Sequence, residues 1–505
     1  MSSSNRIIKN SSMALLYEFI AIVAGLIVPR LILGKFGSSY NGIVSSVTQF
    51  LSFVVLLRAG IGGVAKSHLY KSLKDKDYDQ TSKVILAVKK YMDKVCLIFL
   101  FSLFSISCIY PFIVSLPWLS TASLVLICGL SSLAENYFGI TNMILLQADR
   151  KDYVISIGNI IATLLNVVIT IILINLNCSI HIVKFGTAIA FSINPIFLWL
   201  YNKLHYKIDY SVKYDRNLLS QTKDAFVHVV AEFVHRNTDV IILTLMTNTL
   251  VVSVYSVHAI VVNGLRKLTN AFTSNIESVL GRLFNGKKEQ FYKAFLDFEF
   301  AVFFLGSFTY SCCNILIPSF IGIYTRGVND INYVIPVYGL LISVGEFFDL
   351  AKTPYQYIIR ISGKFKETKV ISIIEAVINI FVSIILVNIY GIVGVAVGTV
   401  IAMMWRTIAY SYYVHKNILD SLRFNLVKYL LFSFVSGFLS FIIYHLFFSS
   451  QATDYISFVG HGIIVVIIVL IIQLIISLLF YRDRFISVFE TIKVLIHSNK
   501  YKKDN

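Results

Sequence analysis

The sequence predicts an all-α polytopic membrane protein with about 14 transmembrane helices, built from a unit of about six spans repeated once, plus two further spans. Three observations carry that expectation. The 505-residue chain is 57% hydrophobic and only 14% charged, and its mean hydropathy is +0.76, which is more apolar surface than an aqueous core could absorb. Apolar runs of about 18 residues or more recur along its length. Features of the first half return in the second, in the same order, at offsets of roughly 206 to 215 residues.

The apolar runs place the spans. The first half supplies Ser11 to Leu33, Asn41 to Ala65, Val95 to Ser115, Thr121 to Leu146, Tyr153 to Leu176 and Ile182 to Tyr201. The second half supplies Asp224 to Met246, Val251 to Leu283, Ala294 to Ile321, Ile331 to Ile359, Val370 to Val387 and Gly391 to Tyr413. Tyr429 to Phe447 and Ile456 to Phe480 lie outside the repeat. The echoes between halves are Pro111 with Pro318, Glu135 with Glu346, Asn166 with Asn379, Gly186 with Gly394 and Trp199 with Trp405, and the basic loop at Lys74 answers that at Lys287 and Lys288. Such an internal duplication points to a transporter.

Lys and Arg are retained on the cytoplasmic side during insertion, so their distribution orients the chain. About 34 of the 44 fall in the termini and in the loops after even-numbered spans, such as Lys66 to Lys94, Lys203 to Lys223 and Arg360 to Lys369. Only about three, Lys35, Lys184 and Arg326, fall in the opposite loops. Both termini are therefore expected in the cytoplasm. The net charge of +17 is read as this topology signal plus attraction to anionic lipid headgroups, not as nucleic-acid binding. The first apolar run is of full span length, carries Glu18 and lacks a small-residue cleavage pattern, so it is expected to stay in the mature protein.

Several chemistries find no support. The Cys residues, including Cys178 and the adjacent Cys312 and Cys313, lack metal-ligand or disulfide-framework spacing and read as packing residues. No HExxH or GxSxG constellation occurs, and outer loops of about ten residues or fewer leave little room for glycan chemistry, so no enzymatic activity is expected. The segment Gly281 to Lys288 imitates a phosphate-binding loop. It has Lys where Ser or Thr would hold magnesium and follows a span, not a strand, so it reads as a cytoplasmic turn.

Ionisable residues inside the spans carry the functional signal, because each costs at least about 2.5–3.5 kcal/mol at a membrane helix centre unless it faces water, protein or a partner. The basic set is Arg30, Arg58, Arg236, Arg266, Lys267, Lys352 and Arg406. The acidic set includes Glu18, Glu135, Glu232, Asp239, Glu277, Glu346, Asp349 and Glu375. At i and i+3, Arg236 and Asp239 share a helix face, as do Glu346 and Asp349, which suits a wet central cavity. Arg406 and Glu375 lie near the ends of their spans, where snorkelling to the interface is the simpler reading. Arg30 follows Pro29 near the outer end of its span, where snorkelling and a kinked, cavity-facing position are both open. His228, His235 and His258 read as satisfied by backbone or neighbouring side chains before they read as pH sensors. Gly394 and Gly398 form a small-xxx-small helix contact.

Taken together, Lys9-Asn10 to Pro29-Arg30, Leu57-Arg58-Ala59-Gly60-Ile61-Gly62, Arg236-Asn237-Thr238-Asp239 and Gly391 to Thr399 resemble the multidrug/oligosaccharidyl-lipid/polysaccharide exporter superfamily. The resemblance is specifically to the Wzx-type polysaccharide flippases, and it covers about residues 1 to 420. It implies two pseudo-symmetric six-helix lobes around a central cavity, working by alternating access, in a bacterial cytoplasmic (inner) membrane. The cargo implied is a polyprenyl (undecaprenyl-type) diphosphate-linked oligosaccharide for O-antigen or capsule assembly, with membrane lipids and other polysaccharide-assembly proteins as partners. The expected divisions are residues 1–210 and 211–420 for the lobes, 421–480 for two extra helices and 481–505 for a basic cytoplasmic tail.

A permanently anionic diphosphate suits guanidinium donors, so Arg58, Arg236, Arg266, Lys267 and Arg30 are the candidate substrate-binding residues. No cofactor is expected. Ion coupling, to protons or sodium, would fall to Asp239, Glu135 and Glu346. The alternatives are a multidrug/cation antiporter of the same superfamily, which would want an acidic, aromatic cavity, and a membrane glycan polymerase.

Overall fold

The structure is a computed structural model that describes residues 3–58, 61–114, 116–212, 233, 236–284, 286, 288–419, 425–448, 452–488 and 490. Among these residues there is no strand. The chain divides into two compact units, Met1–Ser256 with Gly327–Ile331, and Val257–Arg326 with Asn332–Asn505.

The first unit opens with α1 (Ser3–Leu51), a helix of 49 residues that contains the first expected span and enters the second. It bends at Gly37, whose φ of +79° is a backbone conformation open to glycine and strained for other residues. The amide freed at the bend is not lost, because Asp330 accepts from the Ser38 N–H at 2.8 Å. After a break come the short α2 (Val54–Leu57) and α3 (Ile61–Lys74). Next is α4 (Tyr78–Ile109), N-capped by Asp77, whose side chain accepts from Gln80 N–H at 2.9 Å. The expected basic loop from Lys66 to Lys94 is therefore mostly helical. A π-helical turn, Glu135–Gly139, joins α5 (Trp118–Ala134) to α6 (Ile140–Ala148). The unit continues with α7 (Asp152–Asn175) and α8 (Ile180–His205), which pack on one another, and with α9, residues 236–246.

α10 (Thr249–Phe284) begins in the first unit and runs into the second. It is followed by α11 (Lys288–Tyr324), α12 (Pro336–Ala351), α13 (Thr353–Ile361), α14 (Phe365–Tyr390), α15 (Ile392–Asn417), α16 (Leu426–Phe447) and α17 (Tyr455–Phe480). Gly281–Phe284 ends α10 and Lys288 begins α11, with no strand before them among the described residues. α14 packs on α15 as α7 packs on α8. The approach is close: a Cβ on Gly398 would stand 2.2 Å from Ser383 Oγ, and one on Gly394 2.2 Å from the Leu386 carbonyl oxygen. The small-xxx-small motif is thus a helix-packing seam.

The protein is a multi-pass membrane protein. Among the described residues, 11 helices are long and apolar enough to cross a membrane. Large apolar side chains point outward, such as Phe101, Phe112 and Ile456, while Gln473 and Ser477 of α17 are fully withdrawn, the arrangement expected where the solvent is lipid. The count differs from the expected value for three reasons. Two expected spans fall within one helical stretch, Lys9–Leu57, bent at Gly37 and interrupted at Ser52 and Phe53. The expected span from Asp224 to Met246 lies partly outside the described residues, with Glu232, His228 and His235. The expected span from Ile331 to Ile359 is broken at Lys352 into helices of 16 and 9 residues.

Both extra helices, α16 and α17, pack against α11 in the second unit. Ser307 and Ser436 share a hydrogen bond of 2.6 Å there. Phe300 of α11 meets Tyr429, Phe432 and Tyr481 with ring centroids 5.9 to 6.2 Å apart. Beyond α17, Ser487 donates to the buried Asp297 at 2.8 Å.

Glu375 and Arg406 do not snorkel. Their carboxylate and guanidinium lie 2.8 Å apart between α14 and α15, with side-chain exposures of 3% and 6%. Arg406 also stacks over the Tyr410 ring, 5.1 Å from its centroid. The apolar run that suggested a span end near Glu375 starts at Val370, but α14 itself starts at Phe365, so Glu375 sits about three turns inside.

Candidate functional site

The break after α1 and the π-helical turn after α5 place two charged side chains in one space. Ser52 and Phe53 interrupt the helix before α2, and Arg58 follows directly after α2. Glu135 opens the π turn. Irregular turns of this kind inside membrane helices free backbone and side chains to face a polar cavity, and they recur at functional sites. Arg58 Nη1 donates to Glu135 Oε1 at 3.0 Å.

The pair borders a cavity of about 390 Å³ within the first unit. α1 contributes Thr48 and Leu51, the break after it contributes Ser52, and α2 contributes Val54 and Val55. One face of α5 contributes Ile127, Cys128, Ser131 and Ser132. One face of α8 contributes Lys184, Thr187, Ala188 and Phe191, at the i, i+3, i+4, i+7 spacing of residues that share a helix face. The cavity thus holds two cations, Arg58 and Lys184, against one carboxylate, with hydroxyls around them.

The charge distribution along the sequence assigns Lys184 to the outer-loop cations. The structure puts it in the second turn of α8, half-buried. The signal was its position inside the apolar run that begins at Ile182.

The second unit repeats the pair. Arg266 of α10 donates through Nη2 to Glu346 Oε1 and through Nε to Glu346 Oε2, the latter at 3.3 Å. Arg58 and Glu135 thus have counterparts about 210 residues later. The surroundings differ. Asp349 lies 3.9 Å from Arg266 Nε and pairs with Lys352, so the cluster carries two cations and two carboxylates. Lys352 sits at the break between α12 and α13, before Pro354. The adjoining cavity, lined by Arg266, Glu346, Tyr310, Cys313 and Ser343 among others, is about 20 Å³, room for about one water.

The remaining candidates are placed as follows. Arg30 is half-buried in α1, its Nη1 3.4 Å from where a Cβ on Gly34 would stand. Arg236 is exposed at the start of α9, and Asp239 is half-buried one turn later. α9 is held beside the α1 break by a hydrogen bond from Ser52 Oγ to Asn237 Oδ1 at 2.9 Å. Lys267 is exposed on α10. None of these lines the cavity beside Arg58. His258 is buried, its ring edge-on to Tyr338 at 4.8 Å.

Comparison with solved structures assigns the fold. The chain superposes on a structure described as lipid II flippase MurJ in an inward closed conformation, with TM-score 0.73 and 16% identity, over 94% of this chain and 99% of that one. It is also similar to an inward-facing multidrug resistance MATE family transporter of the MOP superfamily, with TM-score 0.60 and 13% identity over 80% and 96%. A third likeness is to a eukaryotic MATE transporter, AtDTX14, with TM-score 0.56 and 12% identity over 82% and 97%. No protein-family model and no curated protein sequence matches the chain.

Proposed function

We propose that the protein is a flippase that carries a polyprenyl diphosphate-linked oligosaccharide repeat unit from the cytoplasmic to the outer leaflet, for O-antigen or capsule assembly, by alternating access of its two lobes. The observation that carries this reading is the cavity of about 390 Å³ in which Arg58 and Lys184 outnumber Glu135. Such a cargo presents a diphosphate, a bulky polar glycan and a long apolar tail, and only the first two need shelter from lipid. Guanidinium and ammonium groups answer the diphosphate, and the ring of Ser and Thr hydroxyls suits sugar hydroxyls. The fold shared with a protein described as a lipid II flippase is consistent with it.

The binding set proposed is Arg58, Arg236, Arg266, Lys267 and Arg30. Export of an anion needs no nucleotide, since each negative charge leaving an interior-negative cell gains about 2.3 kcal/mol per 100 mV. Coupling to protons or sodium ions through Asp239, Glu135 or Glu346 is the rival drive. Flipping of a labelled lipid-linked saccharide in proteoliposomes separates them. A rate that follows clamped voltage and ignores ion gradients supports the first, and the reverse supports the second.

The likeness to MATE transporters favours one other reading, an organic-cation antiporter. Substituting Arg58 and Arg236 leaves cation export intact if that reading holds and stops lipid-linked saccharide transport if the flippase reading holds.

A further inference from the structure

The two units carry the same Arg–Glu pair in different electrostatic settings, and the difference is informative. In the second unit Asp349 and Lys352 join the pair and balance it, and the space beside it is about 20 Å³. At the corresponding places about 211 residues earlier the first unit has Phe138 and Thr141 instead. It has Lys184 where the second half, aligned on Gly186 and Gly394, has Ile392, and it keeps a cavity of about 390 Å³. Among the described residues no carboxylate lies within ion-pair distance of Lys184. An ammonium held half-buried beside an already paired guanidinium leaves the cavity one positive charge in excess, a state that an entering anion relieves.

We infer that Lys184 and Arg58, with the hydroxyls of Ser131 and Ser132, form an oxyanion subsite inside the first unit that takes a phosphate or diphosphate group. The cluster of Arg266, Glu346, Asp349 and Lys352 is charge-balanced and offers such a group a weaker hold. This inference rests on the reading of the cargo as an anionic lipid-linked saccharide and narrows it to one unit and one additional residue. Lys184 projects from the same face of α8 as Thr187, and Ser131 and Ser132 face it from α5. A tetrahedral oxyanion therefore meets a cation and hydroxyl donors from different helices at once, the multipoint geometry such groups require.

The test is equilibrium binding of radiolabelled inorganic pyrophosphate to the full-length protein in nanodiscs of zwitterionic lipid, for wild type, Lys184→Gln and Lys184→Arg. The expected result is saturable binding to wild type, weakened about tenfold or more in Lys184→Gln and largely restored in Lys184→Arg. Thermal unfolding without ligand reports whether each variant is folded. Repeating the titration in nanodiscs containing anionic phospholipid distinguishes the source of the phosphate. Competition that is lost in Lys184→Gln assigns the subsite to a lipid headgroup as well, and absence of competition assigns it to the cargo alone. Binding equal to wild type in a folded Lys184→Gln overturns the inference. Failure of the flippase reading shows up separately, as pyrophosphate binding without transport of any lipid-linked saccharide.

Discussion

Arg58 donates to Glu135 across 3.0 Å in the first unit, and about 210 residues later in the chain Arg266 donates to Glu346 in the second. Each pair joins residues 77 to 80 positions apart, so the two units share a long-range contact and not only a composition. The side chains of Arg58 and Glu135 are 20% and 48% exposed. A pair that wet contributes at most about 1 kcal/mol to stability. Glu135→Gln is therefore expected to leave thermal unfolding nearly unchanged while releasing Arg58, so that pyrophosphate binds as tightly as to wild type or more tightly. A large loss of thermal stability in Glu135→Gln would mean that the pair is structural.

The opposite behaviour is expected of Glu375 and Arg406, whose charges are buried together between α14 and α15. Glu375→Ala leaves an uncompensated guanidinium in an apolar setting and should cost about 3–5 kcal/mol. Replacing both partners, Glu375→Leu with Arg406→Met, should recover most of that loss. Denaturant unfolding in detergent checks both variants, and equal stability of the single and double variants would contradict the assignment.

Gly398 has no room for a side chain. A Cβ there would stand 2.2 Å from Ser383 Oγ and 2.9 Å from its backbone nitrogen, so Gly398→Ala should push α14 from α15 and cost about 1–3 kcal/mol. Gly462 in α17 has nothing within 4 Å of the same position, and Gly462→Ala should be neutral or stabilising by up to about 1 kcal/mol. Comparing the melting temperatures of the two variants tests the seam directly.

Asp454 caps α17 by accepting from the Ile456 and Ser457 amides, each at 2.9 Å, and the Ser457 N–H chiefly holds its carboxyl below the ordinary value. Because the folded value is lowered, the cap is fully present above the ordinary carboxylate range, near pH 4, and is lost as pH falls through the lowered value. Asp454→Ala should speed hydrogen exchange at Ile456 and Ser457 at neutral pH, and Asp454→Asn, still a good cap, should do so much less. Identical exchange in wild type and Asp454→Ala would remove the cap from the account.

The helices were legible because apolar runs in a lipid solvent coincide with the elements that must satisfy every backbone group internally. The run from Tyr153 to Leu176 became α7, Asp152–Asn175, and that from Ile456 to Phe480 became α17, Tyr455–Phe480. The candidate site was legible as a set of residue types and not as a geometry. Nothing local announces that Arg58 meets Glu135, because the contact depends on a break after α1 and a π turn after α5. Lys184 lies inside the apolar run that begins at Ile182 but close to its start, and because α8 begins two residues earlier, at Ile180, it sits deeper in the helix than the run implies. Glu375 was misjudged for the same reason, since α14 extends past its apolar run through a polar first turn, so depth measured from the run understates depth in the helix.

The most direct test of the central claim is complementation of a flippase-deficient strain supplied with the matching glycan pathway, comparing wild type with Arg58→Ala and Arg236→Ala at equal membrane expression. The account predicts that wild type restores surface polymer and that both variants fail. A wild type that restores no polymer while exporting organic cations, or Arg variants that restore polymer fully, would contradict it.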